Sequence, residues 1–272
     1  MDLSVVVATL NGRDALADSL DALSAAAPSA ERIVVNGPSA DGTTGMVRGR
    51  DDVDVLLELA DRSVSVARNA GAAVASGDVV AFVDERTVVG EGWADALGDA
   101  FADAAVVTGP VRRTLAVGSE TSRREHDRVA GRTVTYFDGA NVAFTRDALT
   151  ALDGFDEYLD RGGARDAAHR LVGLDLQLGW REAFAATRSP ADASTVSESP
   201  GRTYRELGYR LAKNYGPAPD ALGCVLGSAR RDGVAALRSV GSGEERISRW
   251  FGDGASVAGG GVRGVLDGGK YL

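Results

Sequence analysis

The sequence predicts an α/β fold of the doubly wound kind, and three observations carry that reading. Strand-like and helix-like segments alternate as strand, helix, strand, helix, strand within the first ninety residues. The apolar run Val79-Val80-Ala81-Phe82-Val83 has the continuous hydrophobicity of a strand buried on both faces. Asp84 and Glu85 follow directly at its C-terminal end, the edge of an open α/β sheet where ligands sit.

Taken in order, residues 3–9 are apolar and β-branched and form the first strand, with Leu10-Asn11-Gly12-Arg13 as the turn after it. Leu16, Leu20 and Leu23 share one helical face, so a helix runs to about residue 27, where Pro28-Ser29 breaks it. Ile33-Val34-Val35 is the second strand, closed by the turn formers of residues 36–43. A short helix over 44–50 precedes a third strand over 53–57. The Ala-rich stretch 67–75 is helical, and Ser76-Gly77-Asp78 stops it before the central strand. Trp93, Leu97 and Phe101 suit a helix on the sheet, and residues 104–108 return as a strand.

Beyond that, the charged stretch 118–131 reads as a surface excursion. Residues 134–137 and 141–144 are extended around Asp138-Gly139-Ala140. Helices follow over 146–152 and 164–172. Residues 189–202 form a Ser/Pro/Asp-rich loop, and 204–215 a partly basic helix. From residue 252 glycine is frequent and periodicity fades, which predicts a loosely ordered tail. The domain reading is therefore a main domain over 1–215 and a Gly-rich extension over 216–272, loosely ordered or associated with a membrane surface.

Composition narrows the function. With 272 residues the chain can bury a sizeable core. Its net charge of -9 makes it a poor nucleic-acid binder, so no nucleic-acid partner is expected. No apolar run reaches the ~18 residues of a spanning helix, and the N-terminal residues carry no basic leader. Cys224 has no internal disulfide partner, which fits a reducing cytoplasm. The loop after the first strand lacks the Gly-x-Gly-x-x-Gly of a dinucleotide enzyme. It also lacks the Gly-rich, Arg/Lys-containing loop usual in nucleotidyltransferases.

Four motifs, in order, carry a family resemblance. They are Ser4-Val5-Val6-Val7-Ala8-Thr9-Leu10-Asn11-Gly12-Arg13 and Val34-Val35-Asn36-Gly37-Pro38-Ser39-Ala40-Asp41-Gly42-Thr43. The third is Ala67-Arg68-Asn69-Ala70-Gly71 through Gly77-Asp78 to Phe82-Val83-Asp84. The fourth is Gly139-Ala140-Asn141-Val142-Ala143-Phe144 with Leu152-Asp153-Gly154-Phe155-Asp156-Glu157. Together they resemble the family 2 glycosyltransferases of GT-A fold, with a central mixed, mostly parallel sheet flanked by helices. The resemblance implies a UDP- or GDP-sugar donor, inversion at the anomeric carbon, and a divalent cation (Mg²⁺ or Mn²⁺) holding the diphosphate. It places the nucleotide over Thr9, Asn11, Arg13 and Asn36, with Arg68 and Asp84 toward the base or diphosphate. Asn69 and Asp41 read as loop-bracing groups.

Two departures qualify the resemblance. The family's Asp-x-Asp is here Asp84-Glu85-Arg86, which leaves Asp84 as the metal-ligand candidate and a cation in the third position. Arg86 either neutralises the leaving diphosphate directly or points outward to pair with Glu85 or Glu91. The Glu-Asp that supplies the family's general base is replaced by Ala164-Arg165. Asp166 is the first substitute base, with Asp160 and Asp156 as alternatives; Asp166 can equally pair with Arg170 at i,i+4. His169 reads as a surface or core histidine rather than a base. Loss of a base matters little if the acceptor is a polyprenyl phosphate, which is ionised at neutral pH. The basic helix 204–215 and Arg249-Trp250-Phe251 suit a peripheral contact at the inner face of the cell membrane, or ordinary packing. The acidic, Arg-rich composition, with Lys only at 213 and 270, is similar to that of halophile transferases of protein N-glycosylation. An acidic protein from a GC-rich genome has the same composition. The rival reading is a catalytically degenerate, nucleotide-sugar-binding partner subunit.

Overall fold

The architecture grows from three parallel strands that are apolar on both faces. These are β1 (Leu3–Thr9), β2 (Glu31–Asn36) and β4 (Val79–Asp84), whose central residues are all buried. They come from a computed structural model that describes residues 1–114, 119–159, 162–189, 200–216, 223, 260–261 and 263–268. The remaining strands are β3 (Val55–Glu58), β5 (Thr87–Val89), β6 (Val106–Thr108), β7 (Val111–Thr114), β8 (Ser119–Thr121), β9 (Glu125–Val129), β10 (Arg132–Tyr136), β11 (Asn141–Thr145), β12 (Leu178–Trp180) and β13 (Ala186–Arg188). The helices are α1 (Arg13–Ala26), α2 (Thr43–Arg48), α3 (Val64–Val74), α4 (Arg146–Leu152), α5 (Gly163–Gly173) and α6 (Pro200–Tyr215).

The chain divides into two compact units, Met1–His126 with Thr135–Asp192, and Asp127–Val134 with Ala193–Leu272. The first holds a seven-stranded sheet in the order β12-β6-β11-β4-β1-β2-β3. Its strands β1 to β4 run parallel, and β11 is inserted antiparallel to both β4 and β6. Parallel strands end on one edge, so Thr9, Asn36 and Asp84 share it. Because β11 runs the other way with Asn141 opposite Val83, residues 138–140 arrive at the same edge beside Asp84. A four-stranded sheet, β5-β13-β7-β8, continues from β4 through Glu85 and Arg86. In it Arg188 is in register with Thr87 on one side and Arg113 on the other.

Helix α1 covers one sheet face with Leu16, Leu20 and Leu23, all completely buried. On the other face α3 approaches so closely that a Cβ at Gly71 would overlap Val6 Cγ1. Phe82, Phe144 and Phe155 pack edge-to-face there, with centroids 5.0–5.9 Å apart.

One expectation is corrected. The segment at Trp93 and Leu97 buries those side chains as read, but as two 3₁₀ turns, Asp95–Leu97 and Ala100–Ala102, entered through Gly92 at a positive φ of 72°. In the glycine-rich tail, residues 260–261 and 263–268 are helical. Within the second unit a Cβ on Gly208 would lie 2.6 Å from the Gly261 carbonyl, and one on Gly268 2.5 Å from that of Tyr209. These glycines let two helical backbones touch.

On α6, Tyr204 and Leu211 bury against Val129. Arg205 pairs with Asp267 at 2.9 Å, Arg202 lies 3.6 Å from Glu206, and Arg210 is buried. No described helix is long and apolar enough to cross a membrane. Asp160, Arg249-Trp250-Phe251 and most of the 189–202 loop lie outside the described residues.

Candidate active site

The loops leaving β1 and β2 are stitched into one surface. Thr9 is buried and its carbonyl accepts the Gly37 N–H at 2.9 Å. Asn11 holds a left-handed backbone (φ 55°), a conformation that Asn tolerates. Its N–H donates to Ser39 Oγ (2.9 Å) and its Oδ1 accepts from the Ala40 N–H (2.8 Å). Asp41 accepts from the Arg13 N–H (3.0 Å) and from the Thr43 N–H and hydroxyl (3.1 and 2.5 Å), the bracing role read for it. Asn36 is buried, donates to Thr44 Oγ1 (2.8 Å) and accepts from Ser39 Oγ (2.6 Å). Both oxygens of Asn11 and Asn36 are therefore engaged, whereas the exposed Asn11 Nδ2 and Arg13 guanidinium have no bonded partner among the described residues.

The Asp84 end is charged instead. Glu85 turns under the first loop, where it accepts the Leu10 N–H at 2.9 Å. A Cβ on Gly12 would lie 2.7 Å from Glu85 Cδ, so a side chain there would push the Glu85 carboxylate aside. Burial pushes the Glu85 carboxyl up, and the charge of Asp84 adds to that. Asp84 Oδ2 is ion-paired with Arg188, while its Oδ1 has only a long 3.5 Å contact with the Arg86 N–H. Asp138 accepts from Arg113 (2.7 Å) and from the Ala140 N–H (3.0 Å). Its burial works to raise the pKa, but that N–H together with Arg113 and Arg188 holds it below the ordinary value.

Arg68 lies inside this group. Its guanidinium sits 5.3 Å above the Phe155 ring and donates to the Gly139 carbonyl at 2.7 Å. Among the described residues no carboxylate is within ion-pairing distance of it. Burial pushes its pKa down and Arg188 adds to this, while Asp84 and Asp138 oppose. Asn69 fastens the turn behind it, bonding the Phe155 N–H and carbonyl at 2.8 Å each. Arg86 is partly buried, and its guanidinium has no bonded partner among the described residues.

The first turn of α5 comes close to this group, since a Cβ on Gly139 would lie 3.1 Å from Ala164 Cβ. Arg165 stacks on Tyr136 (4.4 Å) and bridges both oxygens of Glu125 (2.7 and 2.8 Å). Asp166 is completely buried and ion-paired at 2.7 Å with Arg170, which also reaches the Leu152 and Gly154 carbonyls. That is the i,i+4 alternative, and it ties α5 to the end of α4. His169 is buried beside the Tyr136 hydroxyl (3.4 Å), a core histidine.

The carboxylates that could meet a divalent cation here are few and mostly paired. Among the described residues no three His, Cys, Asp or Glu side chains converge. Asp84 already holds Arg188, Asp138 holds Arg113, and Glu85 faces the loop. Sequence reading found Arg68, Asp84 and Arg86, and the fold brings these three to one edge. It missed Asp138, Arg113 and Arg188. Their signal lay in long-range register, with 104 positions between Arg188 and Asp84.

Comparison with known proteins identifies the family and the fold. Residues 4–152 match the family model described as Glycosyl transferase family 2. The chain is 28% identical over 141 residues to the Pre-mycofactocin glycosyltransferase of Mycobacterium tuberculosis, a match covering 47% of this chain and only 30% of the relative. Its fold is similar to the mannosyltransferase PcManGT from Pyrobaculum calidifontis in complex with GDP-Man and Mn²⁺ (TM-score 0.63, 17% identity, 97% of this chain and 87% of that one). It is also similar to S. aureus TarS 1-349 in complex with UDP-GlcNAc (TM-score 0.60, 17% identity, 79% and 68%). GalNAc-T7 with UDP, GalNAc and Mn²⁺ is a third (TM-score 0.61, 13% identity, 75% and 47%). The fold is GT-A, and the chain belongs to glycosyl transferase family 2.

Proposed function

We propose that this glycosyltransferase moves a sugar, with inversion, from a UDP- or GDP-sugar to an anionic, lipid-linked acceptor of the polyprenyl-phosphate class. The observation that carries the donor half is Arg68, a buried guanidinium with one carbonyl partner and no carboxylate. A buried charge without a counter-ion is costly, and a guanidinium fork suits phosphate oxygens. It lies on the edge shared with the loops of Asn11 and Asn36, whose braced surface supports a role in holding base and ribose. The relatives of this fold that hold UDP-GlcNAc and GDP-Man support both nucleotide classes.

The acceptor half rests on what α5 offers. Its first turn carries Ala164 and Arg165, and Asp166 is committed to Arg170. A hydroxyl acceptor needs a base, typically a 10²–10⁴-fold contribution, whereas a phosphate is already ionised. Such an acceptor brings the enzyme to the inner face of the cell membrane as a peripheral protein, in protein N-glycosylation or surface-polysaccharide assembly.

A thermal-shift panel of nucleotide-sugars, followed by turnover assays with polyprenyl phosphate and with sugar acceptors, tests this reading. A raised midpoint with one donor and turnover on the phosphate are expected. Absence of any shift contradicts the donor half. Turnover on sugar hydroxyls alone contradicts the acceptor half. Binding without turnover on any acceptor favours the partner-subunit reading.

A further inference from the structure

Resting on the nucleotide-sugar reading above, we propose that the donor's diphosphate is held by arginines and not by a divalent cation, with Arg188 as the principal new contact. Each carboxylate at this edge is already engaged. Asp84 is ion-paired with Arg188, Asp138 with Arg113 at 2.7 Å, and Glu85 accepts the Leu10 N–H. Arg188 occupies Oδ2 of Asp84, so a cation would have only Oδ1 to bind and would then sit among guanidinium groups. Each of those positive charges repels a divalent ion placed among them.

The cations exceed what these carboxylates answer. Arg188 and Arg113 are directly opposite in register on β13 and β7, so they lie on the same face of that sheet, each clamped to one aspartate. Arg68 adds a buried guanidinium that donates to the Gly139 carbonyl and has no carboxylate partner among the described residues. Arg86, from the third position of the altered acidic motif, adds another without a bonded partner among the described residues. Like charges gathered this way are relieved by an anion with several oxygens. A guanidinium has five N–H donors, so Arg188 can keep Asp84 and still donate to a phosphate. Asp84 is then a positioning residue for Arg188.

Isothermal titration of UDP and GDP into the full chain tests this, with EDTA and separately with excess Mn²⁺. One of the two nucleotides is expected to bind in EDTA with a Kd within about twofold of its Mn²⁺ value. Arg188→Ala is expected to lose about tenfold or more in EDTA. Mn²⁺ should then recover part of that loss, because Asp84 is freed. Arg188→Lys keeps the charge without the fork, and an intermediate Kd is expected. Wild-type binding only with Mn²⁺ overturns the arginine proposal while leaving the nucleotide-sugar reading in place. So does an Arg188→Ala variant, folded by circular dichroism, that binds as tightly as wild type in EDTA. No binding of either nucleotide under either condition overturns the nucleotide-sugar reading and the arginine proposal together.

Discussion

The two ends of the sheet edge are built on opposite principles. At the β1 and β2 end, neutral side chains and backbone groups satisfy one another, Asn36 with Thr44 and Ser39, Asn11 with Ala40. At the β4 end, charged groups from three strands, two turns and a helix converge, and Arg68 and Arg86 lack carboxylate partners among the described residues. The first end offers shape and a few spare donors. The second is electrostatically unfinished, and binding energy should concentrate there.

The largest way to break this contrast is Arg68→Ala. Removing charge-assisted hydrogen bonds worth about 2–3 kcal/mol weakens donor affinity roughly 30- to 150-fold, readable by titration calorimetry. Next is Gly71→Ala, which forces a methyl onto Val6 and costs about 1–3 kcal/mol of stability by denaturant melt, with donor Kd unchanged. At the neutral end, Asn11→Ala costs about 1 kcal/mol, a roughly fivefold weaker Kd, because it frees the Ala40 N–H and removes a spare donor. That loss should be equal at low and high salt, unlike the loss at Arg68.

The smallest is a pH effect. The folded pKa of Asp138 is depressed, so its ionised form adds stability that is fully present above its unfolded pKa and is lost as pH falls through the folded value. Wild type should therefore melt above Asp138→Asn at neutral pH, and the gap should close in acid below the ordinary carboxylate range.

Legibility in the sequence follows the same division. The strand at Leu3–Thr9 and the helix at Arg146–Leu152 were readable to the residue, since apolar runs and amphipathic spacing are local. So were the two turn-forming loops and the acid that ends β4. The Trp93 segment shows the limit, because its spacing marked the inward face but not the two 3₁₀ turns. In the tail, glycine frequency does not show that Gly208 on α6 meets the Gly261 backbone. Arg113, Asp138 and Arg188 belong to no short motif. Only the pairing of β13 with β7 and of β11 with β4 gathers them.

The most direct measurement is a crystal structure of the chain grown with its nucleoside diphosphate in EDTA. The account predicts phosphate oxygens within hydrogen-bonding distance of both Arg68 and Arg188, with the base over the Asn11 loop. A diphosphate bound away from Arg68, or one ordered only when Mn²⁺ is present on Asp84, would contradict it.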